Sequence, residues 1–322
     1  MNIGKLVAFT KRKSIFFISV FLIVATLALF FTFEAPFLWV HISPAVPILI
    51  APLSLVVLAN LFKTSFSDPG FLPRAELDEL EVDRKLHRQQ LSLPDNLSNG
   101  VQGDVLSRTK DVTINGVTVR LKRCSTCQMY RPPRCSHCSV CDSCVLSFDH
   151  HCPWVGNCVG QRNYQQFYFF LLLLTLLIMV VLVFCVLHLF ILTRTVSLSE
   201  SIKQAPYALA ICIICFFSFF SLCCLSSFHT YLVCRNLTTN EDVKGTFSSK
   251  RRPRVRNPFQ RETVVGNCCS RLCSPQIPNL STWRSSVHPV HLSPDHRSPS
   301  RSLGVPTTSD VNMSSTTTVN TV

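Results

Sequence analysis

Four long apolar runs constrain this 322-residue sequence more than any other feature: residues 14–33, 45–62, 167–192 and 207–234. A helix needs roughly 20 residues to cross a hydrocarbon layer about 30 Å thick. The first run carries no charge, and Pro47 and Pro52 fall near the start of the second. Lipid offers backbone polar groups no partner, so such runs span as helices. Composition agrees: 15% of residues are charged and 47% hydrophobic, with mean hydropathy +0.30, against about 25% charged in ordinary soluble domains. Two soluble domains, which the length alone would permit, are excluded. Lys11, Arg12 and Lys13 precede the first run as in a signal peptide. That run is too long for one, and Glu34-Ala35-Pro36 is a poor cleavage site, so a retained anchor is expected.

The basic residues set an expected orientation. The net charge is +13, from 31 Lys+Arg and 18 Asp+Glu. Four basic residues precede the first run, 13 lie between Lys63 and Asn163, and 12 follow from Arg235 onward. The two short connections hold only Arg194 and Lys203. By the positive-inside rule, the N-terminus 1–13, the central loop 63–166 and the C-terminal segment 235–322 face the cytosol. The sequons at Asn96, Asn236, Asn279 and Asn312 then all stay unglycosylated. Arg74–Leu91 reads as a solvated linker helix and residues 95–103 as loop. Val112–Leu121 reads as a hairpin about Asn115-Gly116, and the Ser/Thr/Pro-rich tail 281–322 as disordered. The expected fold is an all-α membrane protein: four transmembrane helices, a cytosolic loop-rich cysteine domain at about 122–167, C-terminal motifs over 235–280, and the tail.

Of 17 cysteines, eight lie between Cys124 and Cys158. Interleaved with His137, His150 and His151, they make Cys-x2-Cys knuckles with the spacing of tetrahedral zinc sites. The segment has few large apolar residues, so metal must supply folding energy. Two closed sites need eight ligands, and eleven Cys or His side chains are present. A purely structural zinc module remains open on spacing alone. Asp149-His150-His151-Cys152 points further, because a thiol beside a histidine with a carboxylate in reach is the composition of an activated nucleophile. Neighbouring histidines seldom aim at one target, so one base and one metal ligand is a natural division.

These residues resemble the DHHC cysteine-rich domain of the protein S-acyltransferases. The match continues through Pro153-Trp154-Val155-Gly156-Asn157-Cys158 and Asn163-x3-Phe167. Asp68-Pro69-Gly70, Thr238-Thr239-Asn240-Glu241 and Asn257-Pro258-Phe259 match outlying motifs of the same family, and the likeness covers about Met1 to Pro275. It implies Cys152 as nucleophile, His150 as base and Asp149 as its orienting partner. Two structural zinc ions would be held by Cys124, Cys127, His137 and Cys144, and by Cys138, Cys141, His151 and Cys158, leaving Cys135 spare. Thr239 would steady Asp149, Asn267 would support the C-terminal motif, and Trp154, Phe167 and Phe170 would border the acyl chain. One departure is Glu262, where the family usually has glycine.

The implied function is protein S-palmitoylation: acyl-CoA donates a long acyl group to Cys152, which passes it to cysteines of membrane-associated proteins. The alternative is a non-catalytic membrane-anchored zinc scaffold or ubiquitin-ligase adaptor. The basic N-terminus, Arg131-Pro132-Pro133-Arg134 and the Asn267-Cys268-Cys269…Cys273 pattern resemble the Golgi branch acting on Ras-type proteins with a small accessory subunit, so residence in the Golgi or endoplasmic reticulum is expected. Lys122, Arg123, Arg131, Arg134 and Arg162 are candidates to meet the coenzyme A phosphates. Nucleic acid is not an expected partner. Lys250–Arg256 could meet anionic lipid, and Cys268, Cys269 and Cys273 could be acylated themselves. His188, ionisable within the third run, is expected to face a cavity.

Overall fold

A computed structural model describes residues 3–76, 81, 108–247, 256–273 and 278–280. Most of the expected linker helix, the 95–103 loop, the basic run before Arg256 and the tail from residue 281 lie outside the described residues.

Helix α1 (Ile3–Leu29) runs into a π-helical turn (Phe30–Glu34) and then α2 (Ala35–His41). The helical backbone of the first apolar run therefore continues past Phe33. Pro36 has no N–H for the carbonyl four residues back and its ring crowds that carbonyl. The backbone widens just before it, and Ala35 N–H donates to Phe30 O. Helix α3 (Ala45–Phe66) takes Pro52 in its interior. The third and fourth spans are α4 (Tyr164–Leu192) and α6 (Pro206–Cys234), joined through the short α5 (Leu198–Gln204). All four apolar stretches are helical and long enough to cross a membrane. Helix α4 is central, packing on both α3 and α6 through a core that includes Val57, Leu61, Phe167, Leu171 and Cys215.

The all-α expectation needs correction in the loop between α3 and α4, which contains sheet. Strands β1 (Phe71–Leu72), β5 (Ser136–Cys138) and β6 (Ser143–Val145) form one sheet in the order β1-β6-β5. Strands β2 (Thr109–Ile114), β3 (Val117–Cys124) and β4 (Met129–Tyr130) form a second, and β7 (His150–Cys152) pairs with β8 (Asn157–Val159). All pairings are antiparallel. Asn115 and Gly116 turn the β2–β3 hairpin at φ 47° and 74°, the pair of positive values a type I′ turn needs. The knuckle spacing that reads as loop in sequence is hairpin in space, because each metal ligand pair closes a short antiparallel turn.

Beyond α6 come α7 (Thr239–Val243), opened by a capping box between Thr238 and Glu241, and α8 (Val264–Leu272), capped by Thr263.

Candidate active site

Two groups of four side chains have converging ligand atoms: Cys124, Cys127, His137 and Cys144, and Cys138, Cys141, His151 and Cys158. Strand register builds them. His137 lies opposite Cys144 in β5–β6, and His151 opposite Cys158 in β7–β8. Successive side chains on a strand point to opposite faces, so the neighbours His137 and Cys138 serve different groups. In the second group, His151 Nδ1 lies 3.8, 3.5 and 3.5 Å from the sulfurs of Cys138, Cys141 and Cys158. Zn–S bonds of about 2.3 Å and Zn–N bonds of about 2.0 Å give tetrahedral edges of about 3.5–3.8 Å. In the first, His137 Nδ1 lies 3.5 and 3.9 Å from Cys127 and Cys144. Three sulfurs and one imidazole suit zinc, and both groups could hold it. Cys135 packs against the first group without belonging to it.

The same alternation divides Asp149-His150-His151-Cys152. His151 turns toward its metal group, while His150 and Cys152 share the other face of β7. His150 Nδ1 hydrogen-bonds Asp149 Oδ2 at 2.8 Å, and the Cys152 thiol is near enough to favour the charged form of the ring. With Nδ1 committed to the carboxylate, Nε2 is the edge left for sulfur. Cys152 is 7% exposed and packs in the apolar cluster that contains Phe16, Val155, Tyr164 and Phe167. It belongs to neither four-ligand group.

Asp149 is buried and uses every acceptor position. Thr239 N and Oγ1 donate to its two oxygens at 3.0 and 2.6 Å, and Arg271 Nη2 donates to Oδ1 at 3.2 Å. Burial alone would raise its pKa, but the hydrogen bond and charge of His150, with the charge of Arg271, hold it well below the usual range. Burial works against the imidazolium too, yet Asp149 and Cys152 carry His150 up to about 9. For Cys152, burial is outweighed by His150 and by backbone hydrogen bonds from Val155 and Trp154, which bring the thiol down. The arrangement favours a thiolate–imidazolium pair. Asp149, His150 and His229 also converge, but the saturated carboxylate and the adjacent Arg271 cation make that group unsuited to a metal.

The outlying motifs brace this centre. Asp68 Oδ1 accepts from Gly70 N and Phe71 N at 2.8 and 2.9 Å while Oδ2 pairs with Arg162. Asn157 Nδ2 donates to Thr64 O and Ser67 O at 3.2 and 2.9 Å, fixing the turn after Cys152 to α3. Gly156 closes that turn at φ +61°, where an added Cβ would meet Lys13 Cδ at 2.7 Å. Arg134 forks onto Glu241 at 3.0 and 2.7 Å and reaches Asn236 Oδ1 at 2.9 Å. Arg134 and Arg162 are thus internal ion-pair partners, contrary to the expectation that either is free for phosphate. Asn236, one of the sequon asparagines, is 2% exposed and closed off. Asn267 accepts from Arg261 N at 2.7 Å and donates to Cys234 O at 2.9 Å, docking α8 on the end of α6.

Of the three aromatic residues expected along the acyl chain, Phe167 and Phe170 are buried and Trp154 is largely exposed. Phe167 meets the His150 ring edge-on at 5.3 Å. The apolar cavity between spans, about 80 Å³ among Leu22, Thr26, Leu177, Val181, Cys215 and Ser218, is lined by none of the three. A cleft of about 1250 Å³ beside the cysteine domain gathers Arg120, Lys122, Arg131 and Lys244. His188 is buried, and its Nδ1 lies 2.8 Å from Glu34 Oε2. Sequence reading missed Arg271 and His229. His229 had a signal, an ionisable side chain in an apolar run, but Arg271 had none.

The family described as DHHC palmitoyltransferase matches residues 117–246. The chain is 42% identical over 280 residues to human "Palmitoyltransferase ZDHHC14", covering 87% of this chain and 56% of that protein. It is 45% identical over 274 residues to mouse "Palmitoyltransferase ZDHHC18", covering 85% and 70% respectively. With "Palmitoyltransferase ZDHHC9" of Bos taurus, identity is 43% over 276 residues, covering 85% of this chain and 74% of the relative. The match thus spans little more than half of the first relative's length and about seven-tenths of the other two. With this likeness running through the spans as well as the cysteine-rich segment, the chain belongs to the DHHC palmitoyltransferase family.

Proposed function

We propose that this chain is a protein S-palmitoyltransferase whose nucleophile is Cys152. The observation that carries the reading is that this thiol stands outside both metal groups, backed by His150 and Asp149, in the apolar cluster where the cysteine domain meets α1 and α4.

The Cys152 thiolate attacks the acyl carbonyl of acyl-CoA. The bond from that carbonyl to the coenzyme A sulfur breaks, and His150 gives its proton to the departing thiolate. Neutral His150 then takes the proton of a substrate cysteine. That sulfur attacks the acyl-Cys152 thioester, and the Cys152 thiolate leaves. One thioester replaces another, so no further energy source is required. Asp149 holds the ring and Thr239 holds Asp149. The two Cys3His groups would hold two structural zinc ions, which would supply folding energy to the domain.

Location is the physical problem. The acyl chain gains about 0.8 kcal/mol per CH₂ on leaving water, while coenzyme A is polyanionic. The cleft that holds Lys122, Arg131 and Lys244 suits the phosphates, and the apolar space between the spans suits the chain; the family likeness would set Phe167, Phe170 and Trp154 along it. Positive-inside charge supports a multi-pass protein with both termini and the active site in the cytosol. The motif likeness supports Golgi or endoplasmic reticulum residence, Ras-type and other substrates with juxtamembrane cysteines, and a small accessory subunit.

Incubation with palmitoyl-CoA tests the reading. A hydroxylamine-sensitive acyl group should appear on Cys152 and move to a cysteine-bearing acceptor. Transfer that persists in Cys152→Ser would reject the nucleophile, and absence of any adduct would leave a zinc scaffold.

A further inference from the structure

Arg271 lies in the last turn of α8, 122 positions from Asp149 along the chain. Its side chain is 5% exposed, and Nη2 reaches Asp149 Oδ1. The guanidinium lies over the Tyr164 ring, 3.9 Å from its centroid. Tyr164 OH in turn shares a hydrogen bond of 3.3 Å with His229 Nδ1, and the His229 ring lies 5.8 Å from that of His150. Arg271 therefore approaches the His150 ring by two routes, directly through Asp149 and indirectly through Tyr164 and His229. The helix that carries it is held independently, by Asn267 bridging Arg261 N and Cys234 O.

The proposed chemistry shows why a second cation is useful here. His150 is positive while Cys152 is a thiolate, and neutral once it has given its proton to the departing thiol. A fully buried carboxylate with too few partners is costly, and Arg271 gives Asp149 a partner that takes no part in the proton transfer. The guanidinium stays charged throughout. Its hydrogen bond to Oδ1 holds the Asp149 carboxylate in one orientation, so that His150 Nδ1 keeps its partner and Nε2 stays aimed at sulfur.

We propose that Arg271 is a positioning residue of the acyl-transfer reaction, which makes helix α8 part of the active site. This rests on the assignment of Cys152 as nucleophile.

The test uses full-length protein in detergent, loaded with zinc and assayed for acylation from palmitoyl-CoA and for transfer to a cysteine peptide. Arg271→Met should lower kcat by about 10- to 100-fold, the scale of one charge-assisted hydrogen bond. KM for palmitoyl-CoA should change less than about twofold, since Arg271 does not line the cleft that holds Lys122, Arg131 and Lys244. Arg271→Lys should recover a substantial part of kcat, because charge and reach are retained. In an Asp149→Asn background, Arg271→Met should cost little more, because its partner charge is gone. An unchanged kcat in Arg271→Met, or a full further loss in the Asp149→Asn background, overturns the proposal. Should Arg271→Met lose zinc or its thermal transition, Arg271→Lys and Arg271→Gln decide: loss in Gln with recovery in Lys supports it, and equal rates refute it. If wild-type protein forms no adduct on Cys152, the catalytic reading fails instead, so the two failures are distinguishable.

Discussion

Thr239 Oγ1 donates a 2.6 Å hydrogen bond to Asp149 Oδ2 across 90 positions of sequence. Its backbone N–H reaches the other carboxylate oxygen at 3.0 Å. Because Thr238 next to it caps α7 through Glu241, and Glu241 is gripped by Arg134, the segment after α6 is locked in place before it touches the centre. Thr239→Val keeps the backbone contact and the helix cap but removes the hydroxyl. It should lower the rate of acyl-enzyme formation about tenfold with little change in thermal midpoint, on the scale of one hydrogen bond to a charged group. The check is single-turnover labelling from palmitoyl-CoA beside a melting curve.

The shifted thiol makes a pH prediction. Cys152 is held below its ordinary value of 9.0 mainly by His150, against the pull of burial. Wild-type alkylation by iodoacetamide should therefore hold its plateau to well below pH 9 and fall as pH drops through the lowered thiol value. In His150→Ala that support is gone and burial remains, so the curve should move alkaline, and at pH 7 the modification rate should drop at least about tenfold. A curve that does not move would show that His150 does not stabilise the thiolate.

Metal content should separate the two cysteine groups. Cys144 and Cys158 each belong to one group only, so Cys144→Ala and Cys158→Ala should each fall from two zinc ions per chain toward one. Because such domains fold with their metal, each should also become protease-sensitive between α3 and α4, and a strong chelator should reproduce that digestion in wild type. Elemental analysis with limited proteolysis reads both. Cys135→Ala, at a thiol outside the groups, should keep both ions.

The sequence makes some of this legible and conceals the rest for physical reasons. A span announces itself because lipid demands about twenty apolar residues in a row, and a Cys-x2-Cys knuckle because a tight turn must aim two sulfurs. The division of His150 from His151 is readable as well, since adjacent histidines seldom aim at one target, although the strand alternation that enforces it is not. The sheets around the metal groups escape notice because two- and three-residue strands leave no period to detect. The helix running past Glu34 escapes because a charged residue beside a proline reads as the end of a span. Arg271 is invisible: its partner is 122 positions away, and nothing local distinguishes it from a surface arginine after a cluster of cysteines.

Glu34 and His188 test the membrane interior. Both are almost fully buried, with Nδ1 to Oε2 at 2.8 Å, and Phe37 stacks on the His188 ring at 3.6 Å. The pair joins the π-helical turn after α1 to the far part of α4, well away from Cys152. Removing one partner of a buried polar pair strands the other, at a typical cost of about 3–5 kcal/mol, whereas replacing both with apolar residues of similar volume is often neutral or stabilising. His188→Leu should therefore lower the thermal midpoint markedly, and Glu34→Leu should leave an imidazole without its acceptor. The double replacement should recover most of either loss. Acylation of Cys152 should track the folded fraction in all three variants, since the pair touches no group in the transfer step. A double variant less stable than both single ones would mean that the polar contact outweighs its desolvation cost, and that the wide turn at Phe30–Glu34 is held by this pair rather than imposed by Pro36.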